Sequence, residues 1–247
     1  MDNFLIPKCF GIDVITKCNL SCEFCEIQYL KKRQMDIEIY KKIILWMKKI
    51  NIQEIDLTPL AGEFVLHSEW EKILKMAIFN FKKVILFTNG LFFLKDDQFF
   101  KYKNLHIYMS VYNNSYKKFL KYFNKYQNLI LIKRSKDIKI DMKNKIKNKI
   151  KNKIKIEKKE ENRLNIKPIT SEPKFCKFMN EPIITEEGLK LCCFHSDIKS
   201  IITLNELLKM NINDLKKFYK NILDEIKNRN IFCNEACGWF TFLKDKK

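Results

Sequence analysis

No run of uncharged apolar residues in this 247-residue chain is long enough to span a bilayer. The first ten residues, Met1 to Phe10, also lack the apolar core of a signal peptide. These absences argue against a membrane span and an exported protein and predict a cytoplasmic one. In a reducing compartment, disulfides are not the expected use of nine cysteines. A second Cys-x2-Cys pair, the usual complement of a structural zinc site, is missing near the first cysteines. What is present is a globular composition: 46% hydrophobic and 13% aromatic residues, enough to bury a core in one or two domains.

The cysteines fall into two groups. Cys18, Cys22 and Cys25 lie near the start, Cys176, Cys192, Cys193, Cys233 and Cys237 lie in the last third, and Cys9 stands apart as a plain buried thiol. Two separate metal or catalytic sites are implied. The net charge of +19 would point to an anionic partner, but thirteen Lys or Arg against three acids between Lys133 and Lys159 supply +10 of it. Basicity therefore says little about the site. Within that tract, Lys143 to Ile154 is three copies of Lys-Asn-Lys-Ile. Ile146, Ile150 and Ile154 would align along a solvated basic helix or insertion, the favoured reading, with an anion-binding arm as the alternative.

Strand and helix patterns alternate along the first half. Phe10–Ile15 reads as a buried strand running directly into the first cysteines. Asp36 can cap a helix with Ile39, Ile43, Ile44 and Met47 on one face. Glu54–Leu57 is a short strand, and Ser68 with Glu71 forms a capping box for a helix turning Trp70, Leu74, Ala77 and Ile78 inward. Strands follow at Val84–Phe87, Leu105–Val111 and Leu129–Ile132. The last two are separated by a helix capped near Ser115 that carries Tyr116, Phe119, Leu120 and Phe123. Repeated βα units predict a parallel sheet or barrel, with chemistry at the strands' C-terminal ends.

The segment Cys18-Asn19-Leu20-Ser21-Cys22-Glu23-Phe24-Cys25 has the spacing C-x3-C-x2-C. Three thiolates on one loop can hold three irons of a cubane, leaving the fourth open to a ligand. With its "CNLSC" asparagine, the segment resembles the cluster motif of the radical SAM superfamily. Other stretches resemble that family in the same order. Leu57 to His67 is similar to its "GGEPLLH" stretch, with Ala61 in place of the first glycine. Phe87-Thr88-Asn89-Gly90 resembles its "TNG" strand end, and Met109-Ser110-Val111-Tyr112 resembles its fourth strand. Together these cover Phe10 to about Ile132.

The resemblance implies an α/β fold: a partial (β/α)6 TIM-type barrel with a small Cys-rich extension. The core is expected over 1–167, including a basic insertion at 133–159, and the extension over 168–247. It implies a 4Fe-4S cluster on Cys18, Cys22 and Cys25, with S-adenosylmethionine held by Gly62 and Glu63 at its amino group, Phe24 at its adenine, Ser110 at its ribose, and Asn89. An electron passed to the sulfonium would give methionine and a 5'-deoxyadenosyl radical that takes hydrogen from a substrate. The later cysteines resemble a twitch or SPASM extension. They imply one auxiliary 4Fe-4S cluster on Cys176, Cys192 or Cys193, Cys233 and Cys237, with zinc as the alternative. His195 is read as facing solvent or substrate.

A peptide or protein is the expected substrate, and a sugar or small metabolite is the alternative enzyme reading. The electron donor would be of the flavodoxin or ferredoxin class. A nucleic-acid-binding metal module is the reading from a different class. It would show salt-dependent affinity lost on deleting residues 143–159, and activity without S-adenosylmethionine.

Overall fold

The computed structural model describes residues 7–21, 31–59, 62–90, 98–111, 122, 125–126, 128–133, 154–156, 182–190 and 200–227. Among the described residues, nine strands form one sheet in the order β6-β5-β4-β3-β2-β1-β7-β8-β9. The first six are β1 (Cys9–Ile12), β2 (Glu54–Asp56), β3 (Lys83–Thr88), β4 (Leu105–Val111), β5 (Leu129–Lys133) and β6 (Ile154–Ile156). They are parallel, as the βα alternation predicts.

The sheet does not close. The free edge of β1 is taken by β7 (Ile183–Thr185), also parallel to it, and β8 (Gly188–Lys190) and β9 (Ile202–Thr203) extend the sheet antiparallel. The stretch read only as extended, Glu181 to Leu191, thus contains a hairpin that continues the main sheet.

α1 (Ile37–Lys49) begins where the sequence indicates, with Asp36 Oδ1 accepting the Glu38 N–H at 2.6 Å. It ends in a Schellman motif. Asn51 adopts φ of 61°, its N–H bonds the Lys48 carbonyl at 3.0 Å, and the Ile52 N–H reaches the Met47 carbonyl at 2.9 Å. α2 (Trp70–Asn80) buries Ile73, Leu74, Ala77 and Ile78, with Trp70 partly buried.

The expected capping box at Ser68 and Glu71 does not form. Ser68 is instead bound to Gln34 through both its hydroxyl and its N–H, and Glu69 caps the helix without a side-chain bond. A capping box does form at Thr203 and Glu206, opening α3 (Leu204–Lys209), and α4 (Ile212–Lys227) follows it. Neither helix was read from sequence, although Thr-x-x-Glu before an apolar run was the signal for α3.

The tail of the Lys-Asn-Lys-Ile tract also departs from expectation. Ile154–Ile156 is strand β6, paired in register with Leu131–Lys133, so Ile154 is not on a helix with Ile146 and Ile150. β-branched isoleucine at alternate positions suits a ladder beside β5 better than a solvated helix face. The rest of that tract, and all but Tyr122 of the helix expected from Tyr116 to Phe123, lie outside the described residues.

Along β3, Val84, Leu86 and Thr88 are buried while the alternating residues are half-buried. With Leu105, Ile107, Met109 and Leu129, the apolar set joins Ile43, Met47, Leu74 and Ala77 in one core. Cys9 is buried at the start of β1, as expected. Trp46 closes the far side: its indole N–H bonds the Met210 carbonyl at 2.9 Å, and its ring meets Phe10 edge-on at 6.0 Å between centroids. Phe10 is fully buried in this contact. Phe10→Ala should lower the unfolding free energy by about 3–5 kcal/mol in urea titration. A loss under about 1 kcal/mol would show that β1 does not anchor the core.

Candidate functional site

The cysteine loop has a closed neck. The chain leaves β1 after Ile12 and is joined to its return by an antiparallel bridge between Ile15 and Gln34, with the Met35 N–H on the Val14 carbonyl at 2.9 Å. Thr16 bonds across the neck three times. Its N–H donates to the Arg33 carbonyl at 3.1 Å, its hydroxyl donates to the Lys31 carbonyl at 2.6 Å, and that hydroxyl accepts the Arg33 N–H at 2.8 Å.

Below the neck, the buried Asp13 carboxylate holds the Arg33 guanidinium at 2.6 Å. Burial pushes the Asp13 carboxyl upward while Arg33 pulls it down. His67 fastens the return strand. Its Nδ1 accepts the Glu69 N–H at 3.0 Å, so its Nε2–H donates to the Met35 carbonyl at 2.9 Å. The ring is neutral in this tautomer, and burial holds its pKa below the usual histidine value.

Gly62 lies against this neck. It adopts φ of 151°, and an added Cβ would stand 2.3 Å from the Ile15 carbonyl oxygen, so only glycine fits. The close approach lets the Glu63 N–H bond the Lys17 carbonyl at 2.8 Å, one residue before Cys18. The Glu63 side chain is 1% exposed. Its Oε1 accepts the Thr88 hydroxyl at 2.6 Å and its Oε2 accepts the Asn89 N–H at 2.8 Å. The Thr88 hydroxyl is oriented in turn by the Gly90 N–H at 3.0 Å.

Burial without a cationic partner among the described residues pushes the Glu63 carboxyl up to about 7, with the bonds from Thr88 and Asn89 offsetting part of that rise. The Asn89 side chain turns to the cysteine loop, its Nδ2 at 2.9 Å from Asn19 Oδ1 and 3.8 Å from Cys18 Sγ. Ser110 is buried on the adjoining strand, one position beyond Met109, which pairs with Thr88.

Five expected site residues, Cys18, Gly62, Glu63, Asn89 and Ser110, therefore lie at one end of the sheet: the first four follow the C-terminal ends of β1, β2 and β3, and Ser110 is the last residue but one of β4. Phe24, Cys22, Cys25, Cys176, Cys192, Cys193, Cys233, Cys237 and His195 lie outside the described residues. Among the described residues no three His, Cys, Asp or Glu side chains gather as a metal site. The sequence reading passed over Thr88, Thr16 and the Asp13–Arg33 pair. Thr88 stands in the quoted Thr-Asn-Gly stretch, and an aspartate inside an apolar strand next to a cysteine loop was a signal for a buried ion pair.

No family model matches the chain, and no curated protein is significantly similar to it in sequence. Solved structures do match. BtrN in complex with AdoMet and 2-DOIA superposes with a TM-score of 0.63 at 13% identity, over 91% of this chain and 88% of that one. Streptococcus suis SuiB bound to precursor peptide SuiA matches at 0.57 and 14%, over 96% and 71%. The enzyme anSMEcpe with bound AdoMet and Cp18Cys peptide matches at 0.52 and 14%, over 87% and 81%. These neighbours are radical SAM enzymes. The chain has the radical SAM fold.

Within the radical SAM fold of this chain, the buried acid gives a pH signature. Glu63 holds its proton more tightly folded than unfolded, so its contribution to stability is complete below about 4.5 and is lost as pH rises through about 7. The full change is about 3 kcal/mol. Glu63→Gln keeps a neutral group in the pocket. It should flatten the stability–pH curve across that window, read by urea unfolding at each pH. A curve parallel to wild type would show that Glu63 does not titrate there.

Proposed function

We infer that the chain is an enzyme that reductively cleaves S-adenosylmethionine and abstracts hydrogen from a peptide or protein substrate. One observation carries the reading: a buried carboxylate, an asparagine and a cysteine sulfur from three separate segments are hydrogen-bonded into one cluster at the C-terminal edge of a radical SAM sheet.

Cys18, with Cys22 and Cys25, would hold a 4Fe-4S cluster. The donor set fits. Cys18 is half-buried at the rim, and its sulfur receives the Leu20 N–H at 3.4 Å as well as the Asn89 amide, donors suited to a thiolate. When bound, the cluster supplies the electron that breaks a carbon–sulfur bond of S-adenosylmethionine, giving methionine and 5'-deoxyadenosine after hydrogen transfer.

The remaining work belongs to the protein. Gly62 and Glu63 would receive the methionyl amino group, which as an ammonium ion would set a cation beside the Glu63 carboxylate. Ser110 would serve the ribose and Phe24 would border the adenine. The Asp13–Arg33 pair and Thr16 hold the neck from which Cys18 follows. Residues 168–247 would carry an auxiliary cluster on Cys176, Cys192 or Cys193, Cys233 and Cys237, and a flavodoxin or ferredoxin would deliver the electron.

The peptide reading is supported by the likeness to SuiB, seen with precursor peptide SuiA, and to anSMEcpe, seen with a peptide. A second reading, a sugar or small metabolite, is favoured by the higher TM-score to BtrN, seen with 2-DOIA. Substrate-dependent 5'-deoxyadenosine formation separates the two: peptide-stimulated turnover supports the first, and stimulation by small polyols alone supports the second.

Reconstitution without oxygen should give about eight irons per chain, and the Cys18→Ala, Cys22→Ala, Cys25→Ala triple variant about four. Only the wild type should release 5'-deoxyadenosine under a strong reductant. Wild-type protein that takes up no iron would overturn the reading, and four irons with one zinc would make the C-terminal site structural. Binding should also depend on pH. Because an ammonium ligand needs Glu63 ionised, S-adenosylmethionine affinity should fall up to tenfold per pH unit below about 7. In Glu63→Gln, affinity should be weak and flat with pH by equilibrium dialysis.

A further inference from the structure

We propose that Asn89 is a positioning residue of the cluster, donating a hydrogen bond to the Cys18 sulfur and setting the reduction potential, and is not a ligand of S-adenosylmethionine. The inference rests on the reading of Cys18, Cys22 and Cys25 as cluster ligands.

The geometry fixes the Asn89 amide from both ends. Its backbone N–H is held by Glu63 Oε2 at 2.8 Å, and its side chain is held by Asn19 Oδ1 at 2.9 Å. An amide nitrogen carries two protons. The Asn89 Nδ2 donates to Asn19 Oδ1 at 2.9 Å and to Cys18 Sγ at 3.8 Å. In this orientation the nitrogen of the Asn89 amide, not its oxygen, faces the sulfur, as a thiolate requires. Asn89 is 7% exposed, and little water competes for that bond.

The protonation state of the cysteine then decides what the bond does. A thiol at Cys18 can direct its own hydrogen to Asn19 Oδ1 at 3.9 Å. An iron-bound thiolate has no hydrogen to give and only accepts, here from the Leu20 N–H and from Asn89. Donors to a cluster sulfur stabilise negative charge, and they do so more strongly after the cluster gains an electron than before. Asn89 therefore raises the potential and eases reduction by the external donor. The same residue meets Glu63 through its backbone, so the seat for the methionyl amino group and the cluster loop are spaced by one residue.

The test is the midpoint potential of the reconstituted full-length protein, followed by electron paramagnetic resonance during a reductive titration. Asn89→Ala deletes the amide but keeps the N–H that Glu63 uses. It should retain its iron and show a potential lower by at least a tenfold change in the one-electron equilibrium, about 59 mV. Asn89→Asp keeps the shape and replaces the donor by a charge, and should lie lower still. An unchanged potential in an iron-loaded variant overturns the proposal. So does an unchanged potential accompanied by lost S-adenosylmethionine affinity, which would make Asn89 a ligand after all.

Should Asn89→Ala fail to load, Asn89→Leu, of the same shape but with neither donor nor charge, decides by the same criterion. Failure of the underlying reading is a different result: the wild type itself then takes up no iron dependent on Cys18, Cys22 and Cys25, and the proposal falls with it.

Discussion

A carboxylate excluded from water must find donors, and around Glu63 that requirement fixes the relative positions of three segments distant in sequence. The end of β3 supplies the Thr88 hydroxyl and the Asn89 N–H. The stretch after β2 supplies Glu63 itself, brought close because Gly62 can lie against the Ile15 carbonyl. The cysteine loop is joined through the Glu63 N–H to Lys17 and through the Asn89 amide to Asn19. If the donors were displaced, the buried acid would keep its desolvation cost without its compensation. The position of Cys18 relative to the sheet is thus determined by satisfying one buried side chain.

The neck of the loop carries the second constraint. Thr16 and the Asp13–Arg33 pair hold the entering and returning strands together, and Arg33 also reaches Glu187 in the β7–β8 turn at 3.5 Å. The Asp36 N–H, on the same return strand, bonds Glu186 at 3.0 Å. The hairpin beyond β1 therefore supports the cysteine loop from the side opposite Glu63. A partly buried ion pair of this kind is weak evidence for net stability, but it strongly penalises any arrangement that separates Asp13 from Arg33.

Much of the first half was legible because its signals are local. Leu105–Val111 is read with its observed ends, Asp36 caps α1, and Gly62, Glu63 and Asn89 meet at one end of the sheet as their order along the strands implies. What was missed depends on partners far away in sequence. Ser68 looks like a helix cap until Gln34 occupies it. Ile154 looks like one stripe of a basic helix until the open edge of β5 is available to pair with it. Thr88 reads as an ordinary strand residue, since nothing local says that a buried carboxylate will sit above it. The edge of β1 that stays vacant in an open barrel is likewise filled from a segment that sequence periodicity reads only as extended.

That last pairing has a kinetic meaning. Gly11 and Ile12 lie beside Ile183 and Ile184, so the centre of the sheet joins positions separated by most of the chain. During synthesis, β1 can pair with β2 early but must wait for β7 on its other side. Until then it presents a row of unpaired backbone donors and acceptors next to the apolar side chains of Phe10 and Ile12, the kind of edge that recruits other chains. Loop-closure entropy over that separation makes the pairing slow. The nascent protein thus passes through an interval in which a strand buried along its whole length in the finished sheet still has one open edge.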